Sequence, residues 1–228
     1  MSNTKTIAKN TAWFGLENAI SIFVTMFTSI AIARTLGPAK MSYIIYVMMT
    51  ASVASSLGGV GIPATMRKYM AEFLGKGDRG TARHVYIQTL LLQMGMATIV
   101  SGGVVFWVFS HASADYRLAA VLIALSIWPT MVNSMPAQAN IAAERMSANL
   151  PASILSILGY LVAIAATVVF HWGVLGVGGA MLFMRSVDFL VRFIPTTLRI
   201  LSWETTHVRP EGLQARLITF CIAVDVMG

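Results

Sequence analysis

The sequence predicts an all-α integral membrane protein, a six-helix transmembrane bundle followed by the start of a seventh span. Three observations carry that reading. Of the 228 residues, 57% are hydrophobic and only 11% are charged, against roughly 25% charged in a soluble domain. The apolar residues come in runs near the roughly 20 needed to cross a hydrocarbon core. The basic residues fall between those runs instead of forming one patch. The net charge of +7 therefore reads as a topology signal and not as a nucleic-acid footprint.

The polar N-terminus, MSNTKTIAKN, carries Lys5 and Lys9. The apolar run behind it ends in Ala31-Ile32-Ala33, like the small-residue cleavage site of a signal peptide. It is too long for a signal core of about 7–15 residues, and Glu17 interrupts it, so it is read as an uncleaved first span. Spans are predicted over residues 11–33, 42–62, 85–110, 117–139, 150–170 and 174–198. Between them lie segments of turn or charge character: 34–40, 67–84, 110–115, 140–149 and 171–173. Residues 1–198 thus form the six-helix lobe, and 199–214, with Pro210 and Gly212, an inter-lobe linker. Residues 215–228 are too few to cross and read as the start of an incomplete seventh helix.

Charge asymmetry sets the expected orientation. With the N-terminus in the cytoplasm, inside segments hold Lys5, Lys9, Arg67, Lys68, Lys76, Arg79, Arg83, Arg145, Arg199 and Arg209. Outside segments hold only Arg34, Lys40 and Arg117. Cys221 is the single cysteine, which excludes an internal disulfide. His84, His111, His171 and His207 are scattered without ligand spacing. No metal and no cofactor are expected.

Two segments carry a resemblance. Residues 33–46, ARTLGPAKMSYIIY, and 58–83, GGVGIPATMRKYMAEFLGKGDRGTAR, resemble the polysaccharide (O-antigen type) flippase family of the multidrug and oligosaccharidyl-lipid exporter superfamily. Ala33, Arg34, Leu36, Gly37 and Pro38 match its first-hairpin turn, while Ser42 replaces a usual small or Gly residue. Gly61, Pro63, Lys68, Tyr69, Ala71, Glu72, Gly75, Lys76, Gly77 and Asp78 match the segment after its second span. The resemblance implies one six-helix lobe of a two-lobe transporter that works by alternating access. It implies no enzymatic step and a bacterial inner-membrane location. The implied substrate is a lipid-diphosphate-linked oligosaccharide, moved for cell-surface polysaccharide (lipopolysaccharide, O-antigen) biosynthesis. The implied partners are membrane lipids and either a C-terminal lobe or a second copy.

The bland reading of the same segments is also open. Gly37-Pro38 is a competent turn, Arg34 reaches lipid phosphates, and residues 67–84 anchor the chain on the positive side.

Charged and polar groups inside the spans are the candidate site. Arg185, Asp188 and Arg192 interrupt the sixth span. At 100° per residue they share one narrow stripe, and an unpaired arginine at mid-membrane costs at least about 2.5–3.5 kcal/mol. Arg185, Arg192 and Arg34 are therefore candidates to attract a diphosphate, since the guanidinium fork bonds phosphate oxygens bidentately. The alternative is that Arg185 and Asp188 neutralise each other at i,i+3 while Arg192 snorkels. Glu17 and Asp188 are the coupling-ion candidates, with Asp225 a weaker one. In the fourth span Pro129 and Pro136 are expected to bend the helix. Asn133 and Gln138 give it a polar side, suited either to sugar hydroxyls or to backbone groups that the prolines free.

Competing classes are a multidrug exporter of the same superfamily, a membrane enzyme of glycan assembly, and a truncated, non-transporting membrane protein. The first needs acids where this stripe is net basic. The second needs paired acids or histidines, and the outside loops offer only His111, Asp115 and His171.

Overall fold

The computed structural model describes residues 2–59 and 61–203, and, from Ala19 onward, their side chains. The predicted linker beyond Trp203 and the predicted seventh helix lie outside the described residues. The described chain is helical throughout, with α1 (Ser2–Gly59), α2 (Ile62–Gly75), α3 (Arg79–His111) and α4 (Ala114–Leu125), then α5 (Ile127–Ala142), α6 (Leu150–Val169) and α7 (Gly173–Leu201). A 3-10 turn, Met146–Asn149, leads into α6. Five stretches are long and apolar enough to cross a membrane: Ala19–Gly59, Arg79–His111, Ala114–Ala142, Met146–Val169 and Gly173–Leu201.

The first stretch holds both of the first two expected spans. Residues 34–40 are not the loop the sequence suggested, because one residue makes the break. Gly37 sits at φ 75°, ψ 170° inside α1, a conformation essentially reserved for glycine. Pro38 restarts the helix where its missing N–H leaves nothing unpaired. The contacts on either side give the direction of the two halves. Thr28 lies beside Tyr160, midway along α6. Beyond Gly37, the Tyr43 ring lies tilted against Tyr116 at 5.1 Å and Tyr46 lies 6.2 Å from Trp107. Gly58 then reaches Val100 and Met131, deeper in the bundle. The chain therefore rises to Gly37 and returns, so α1 is a helical hairpin.

Residues 67–84 are likewise mostly helix, where the sequence suggested a break. Met66 and Met70, one turn apart, are fully buried while Arg67 and Lys68 are exposed. That apolar stripe gives α2 a face to pack, and Pro63 occupies its first turn. Only residues 76–78 separate α2 from α3. Gly77 N–H bonds Leu74 O at 3.1 Å and Asp78 N–H bonds Phe73 O at 2.9 Å, with Gly77 left-handed at φ 77°. This is a Schellman ending. The Asp78 carboxylate then caps α3 by accepting from Thr81 N–H at 2.9 Å.

Two ends are defined. At the basic end Arg83 donates to the Trp203 carbonyl at 3.0 Å, and the hydroxyls of Tyr86 and Thr197 meet at 2.8 Å, joining the start of α3 to the end of α7. At the far end Tyr43, Tyr46, Trp107, His111 and Tyr116 gather, with Phe170 stacked on Trp172. Such an aromatic cluster suits a membrane–water boundary. Between the ends Leu57, Ile99, Phe106 and Val162 are each at least 70% exposed, a surface that water disfavours and lipid accepts. These are the features of a membrane-embedded bundle.

Candidate functional site

α7 continues unbroken through Arg185, Asp188 and Arg192, and it packs against α4, α5 and α6. Its acid does not pair with the nearer arginine. Arg192 Nη2 donates to Asp188 Oδ1 at 2.8 Å and to Ser153 Oγ of α6 at 2.9 Å. From α5, Asn133 Nδ2 donates to Asp188 Oδ2 at 2.6 Å. Both carboxylate oxygens are thus engaged, and the Arg192 and Asp188 side chains are only 11% and 15% exposed. Arg192 does not snorkel. It closes a clasp over three helices, in which charge-assisted bonds replace the water each ion loses. Helical spacing alone permits i,i+3 and i,i+4 pairing equally. Ser153, beside Arg192, selects the second.

Arg185 stands apart from the clasp. About 18 Å along α7 from Gly173, it lines a cavity of about 260 Å³ between α1, the α4–α5 junction and α7. Ser55, Ser126 and Thr130 line the same cavity. Their hydroxyl protons are committed to their own helices, on Ala51 O at 2.7 Å, Ile123 O at 2.6 Å and Ser126 O at 2.7 Å. They can therefore offer a ligand only oxygen lone pairs. Arg185 makes no ion pair among the described residues. One permanent cation beside several hydroxyl acceptors suits a ligand that carries both an anionic group and hydroxyl donors.

The cavity wall contains the bend. α4 ends at Leu125 and α5 begins at Ile127, so the fourth span breaks one turn before Pro129. A proline clashes with the carbonyl four residues back and cannot bond to it, and for Pro129 that carbonyl belongs to Leu125. Ser126 N–H is shared between Leu122 O and Ile123 O, at 3.2 and 3.1 Å, in the tightened last turn of α4. Pro136 lies inside α5 without interrupting it.

The other candidates are dispersed. Arg34 is exposed one turn before Gly37 and does not join Arg185 or Arg192. Gln138 is half-buried on α5, and its Oε1, like Asn133 Oδ1 and Arg192 Nε, is buried with no partner among the described residues. Glu17 lies on α1, but its side chain is outside the described residues, as is all of Asp225. Sequence reasoning passed over Ser153, whose only signal is a hydroxyl in an apolar span. It also passed over a buried network at the basic end. There Asn140 Nδ2 donates to Asn149 Oδ1 at 2.8 Å and to Thr196 Oγ1 at 3.0 Å, while Arg199 Nη2 donates to Asn140 Oδ1 at 3.1 Å. No group of three or more His, Cys, Asp or Glu side chains is placed to hold a metal among the described residues.

No protein-family model, curated protein or solved structure matches this chain.

Proposed function

We propose that the chain is a lobe of a membrane flippase that moves a lipid-diphosphate-linked oligosaccharide from the cytoplasmic to the outer leaflet of a bacterial inner membrane by alternating access. The basic end faces the cytoplasm in this reading, and no covalent chemistry takes place. Two things support it. One is the resemblance in residues 33–46 and 58–83. The other, which carries the reading, is Arg185 in a hydroxyl-lined cavity at mid-helix. The guanidinium would draw the diphosphate into the bundle, and Ser55, Ser126 and Thr130 would accept from sugar hydroxyls. A multidrug exporter is less well supported, because Asp188, the acid on the stripe, already has both oxygens occupied.

The test is leaflet transfer of a fluorescent undecaprenyl-diphosphate oligosaccharide by the full chain reconstituted in liposomes. Arg185→Ala should reduce transfer at least tenfold at equal expression, and Arg185→Lys should recover part of it as a point charge. Transfer that is unchanged in Arg185→Ala would sink the reading.

A further inference from the structure

A second cavity, of about 540 Å³, opens at the basic end where α2, α3, the α5 turn and α7 meet. It is distinct from the Arg185 cavity, since Arg199 lies about 21 Å further along α7. Three arginines from three elements line it: Arg79 at the start of α3, Arg145 after α5 and Arg199 near the end of α7. Glu144 is the one acid on its wall.

The backbone places Arg79 and Arg145 at this cavity, and Arg199 has its guanidinium held as well. Arg199 is fixed through Asn140, which is fully buried and tied to Asn149 and Thr196. Its Nε is buried with no partner among the described residues. Arg145 is set by the ending of α5. Arg145 N–H bonds Asn140 O at 2.8 Å and Glu144 N–H bonds Ile141 O at 3.0 Å, a Schellman motif that forces Glu144 to φ 56°. Arg79 follows the Asp78 cap. Among the described residues the Arg79 and Arg145 side chains make no hydrogen bond or ion pair, and Glu144 pairs with neither. Three guanidinium groups around one cavity repel one another, and a single carboxylate does not balance them. A doubly charged tetrahedral anion does, and the guanidinium fork matches its oxygens.

We propose that this cavity binds a phosphate group, carried either by an anionic phospholipid or by a water-soluble phosphate. The site requires no transport activity, and it stands or falls independently of the flippase reading.

The experiment uses the full purified chain. Binding of inorganic phosphate and pyrophosphate is measured by calorimetry in detergent at constant ionic strength. Retention of phosphatidylglycerol and cardiolipin over phosphatidylcholine is measured by native mass spectrometry from mixed nanodiscs. Arg79→Gln and Arg145→Gln are the variants, because neither side chain has a partner whose loss would unfold the chain. Lys40→Gln, exposed at the opposite end of the bundle just beyond Gly37, is the control and should leave binding unchanged.

Saturable binding of pyrophosphate, weakened about tenfold or more by the paired variant, supports a soluble ligand. Selective anionic-lipid retention lost in the same variant supports a headgroup. Glu144→Gln should tighten either one. Absence of both, or binding insensitive to Arg79 and Arg145, overturns the proposal.

Discussion

Asn133 on α5 donates a 2.6 Å hydrogen bond to Asp188 on α7, and it fills the carboxylate oxygen that Arg192 leaves open. The amide therefore completes an ion pair without adding charge. With Ser153 beneath Arg192, polar contacts join α5, α6 and α7 at one point. A neutral clasp also leaves Arg185 as the uncompensated charge of the stripe among the described residues.

The clasp has an asymmetric energetic signature. Removing one partner of a buried pair strands the other charge and costs about 3–5 kcal/mol, whereas replacing both with apolar groups is often neutral or stabilising. Asp188→Leu should therefore lower stability by about that amount, and Arg192→Leu by a similar amount. The double change Asp188→Leu with Arg192→Leu should restore most of the loss. Chemical unfolding in detergent micelles measures all three. If the double variant is as unstable as the sum of the singles, the two residues do not act as a pair.

Neighbouring glycines on α7 should respond with opposite signs. A Cβ built on Gly178 falls 2.7 Å from the backbone oxygen of Ala119 on α4, while one on Gly179 meets nothing within 4 Å. Backbone cannot move aside as a side chain can, so Gly178→Ala must push α4 and α7 apart. Overpacking of this kind costs about 1–3 kcal/mol. Gly179→Ala keeps every contact and gains up to about 1 kcal/mol of helix propensity. Thermal unfolding of the two single variants checks this, and equal midpoints would mean that the α4–α7 approach is looser than described.

What could be read from the sequence followed from period and length, and what could not be read followed from partners far away in the chain. Long apolar runs announced α3, α6 and α7. The turn at Gly37-Pro38 was visible as a turn but not as a one-residue break, because composition does not report ψ. The density of Arg and Lys over 67–84 masked α2, although Met66 and Met70 one turn apart were the signal of a buried face. Arg192 lies 39 positions from Ser153, and Asn133 lies 55 from Asp188, so no local pattern could choose among the pairings of the stripe. Helix endings divide the same way. Gly77 after α2 is the usual glycine signal, but Glu144 after α5 and His171 after α6 take the left-handed conformation without one.

Those two non-glycine endings allow strain to be separated from charge. Left-handed backbone costs a residue with a Cβ roughly 1–2 kcal/mol. Glu144 at φ 56° and His171 at φ 54° each carry that cost, at opposite ends of the bundle. His171→Gly should stabilise the protein by up to about 1 kcal/mol, less whatever the glycine adds to the entropy of the unfolded chain. Glu144→Gly should gain the same relief and also remove the acid beside Arg79, Arg145 and Arg199. Glu144→Gln removes the charge and keeps the strain. For a domain of this size 1 kcal/mol moves the midpoint by about 2–4 °C, which differential scanning in detergent resolves. His171→Gly is expected to rise the most, Glu144→Gly by less because it also loses an acid beside three cations, and Glu144→Gln to stay level or fall slightly. If Glu144→Gln falls well below the parent, its carboxylate neutralises the arginine cluster in the unliganded protein, and the cavity is weaker as an anion site than its three guanidinium groups imply.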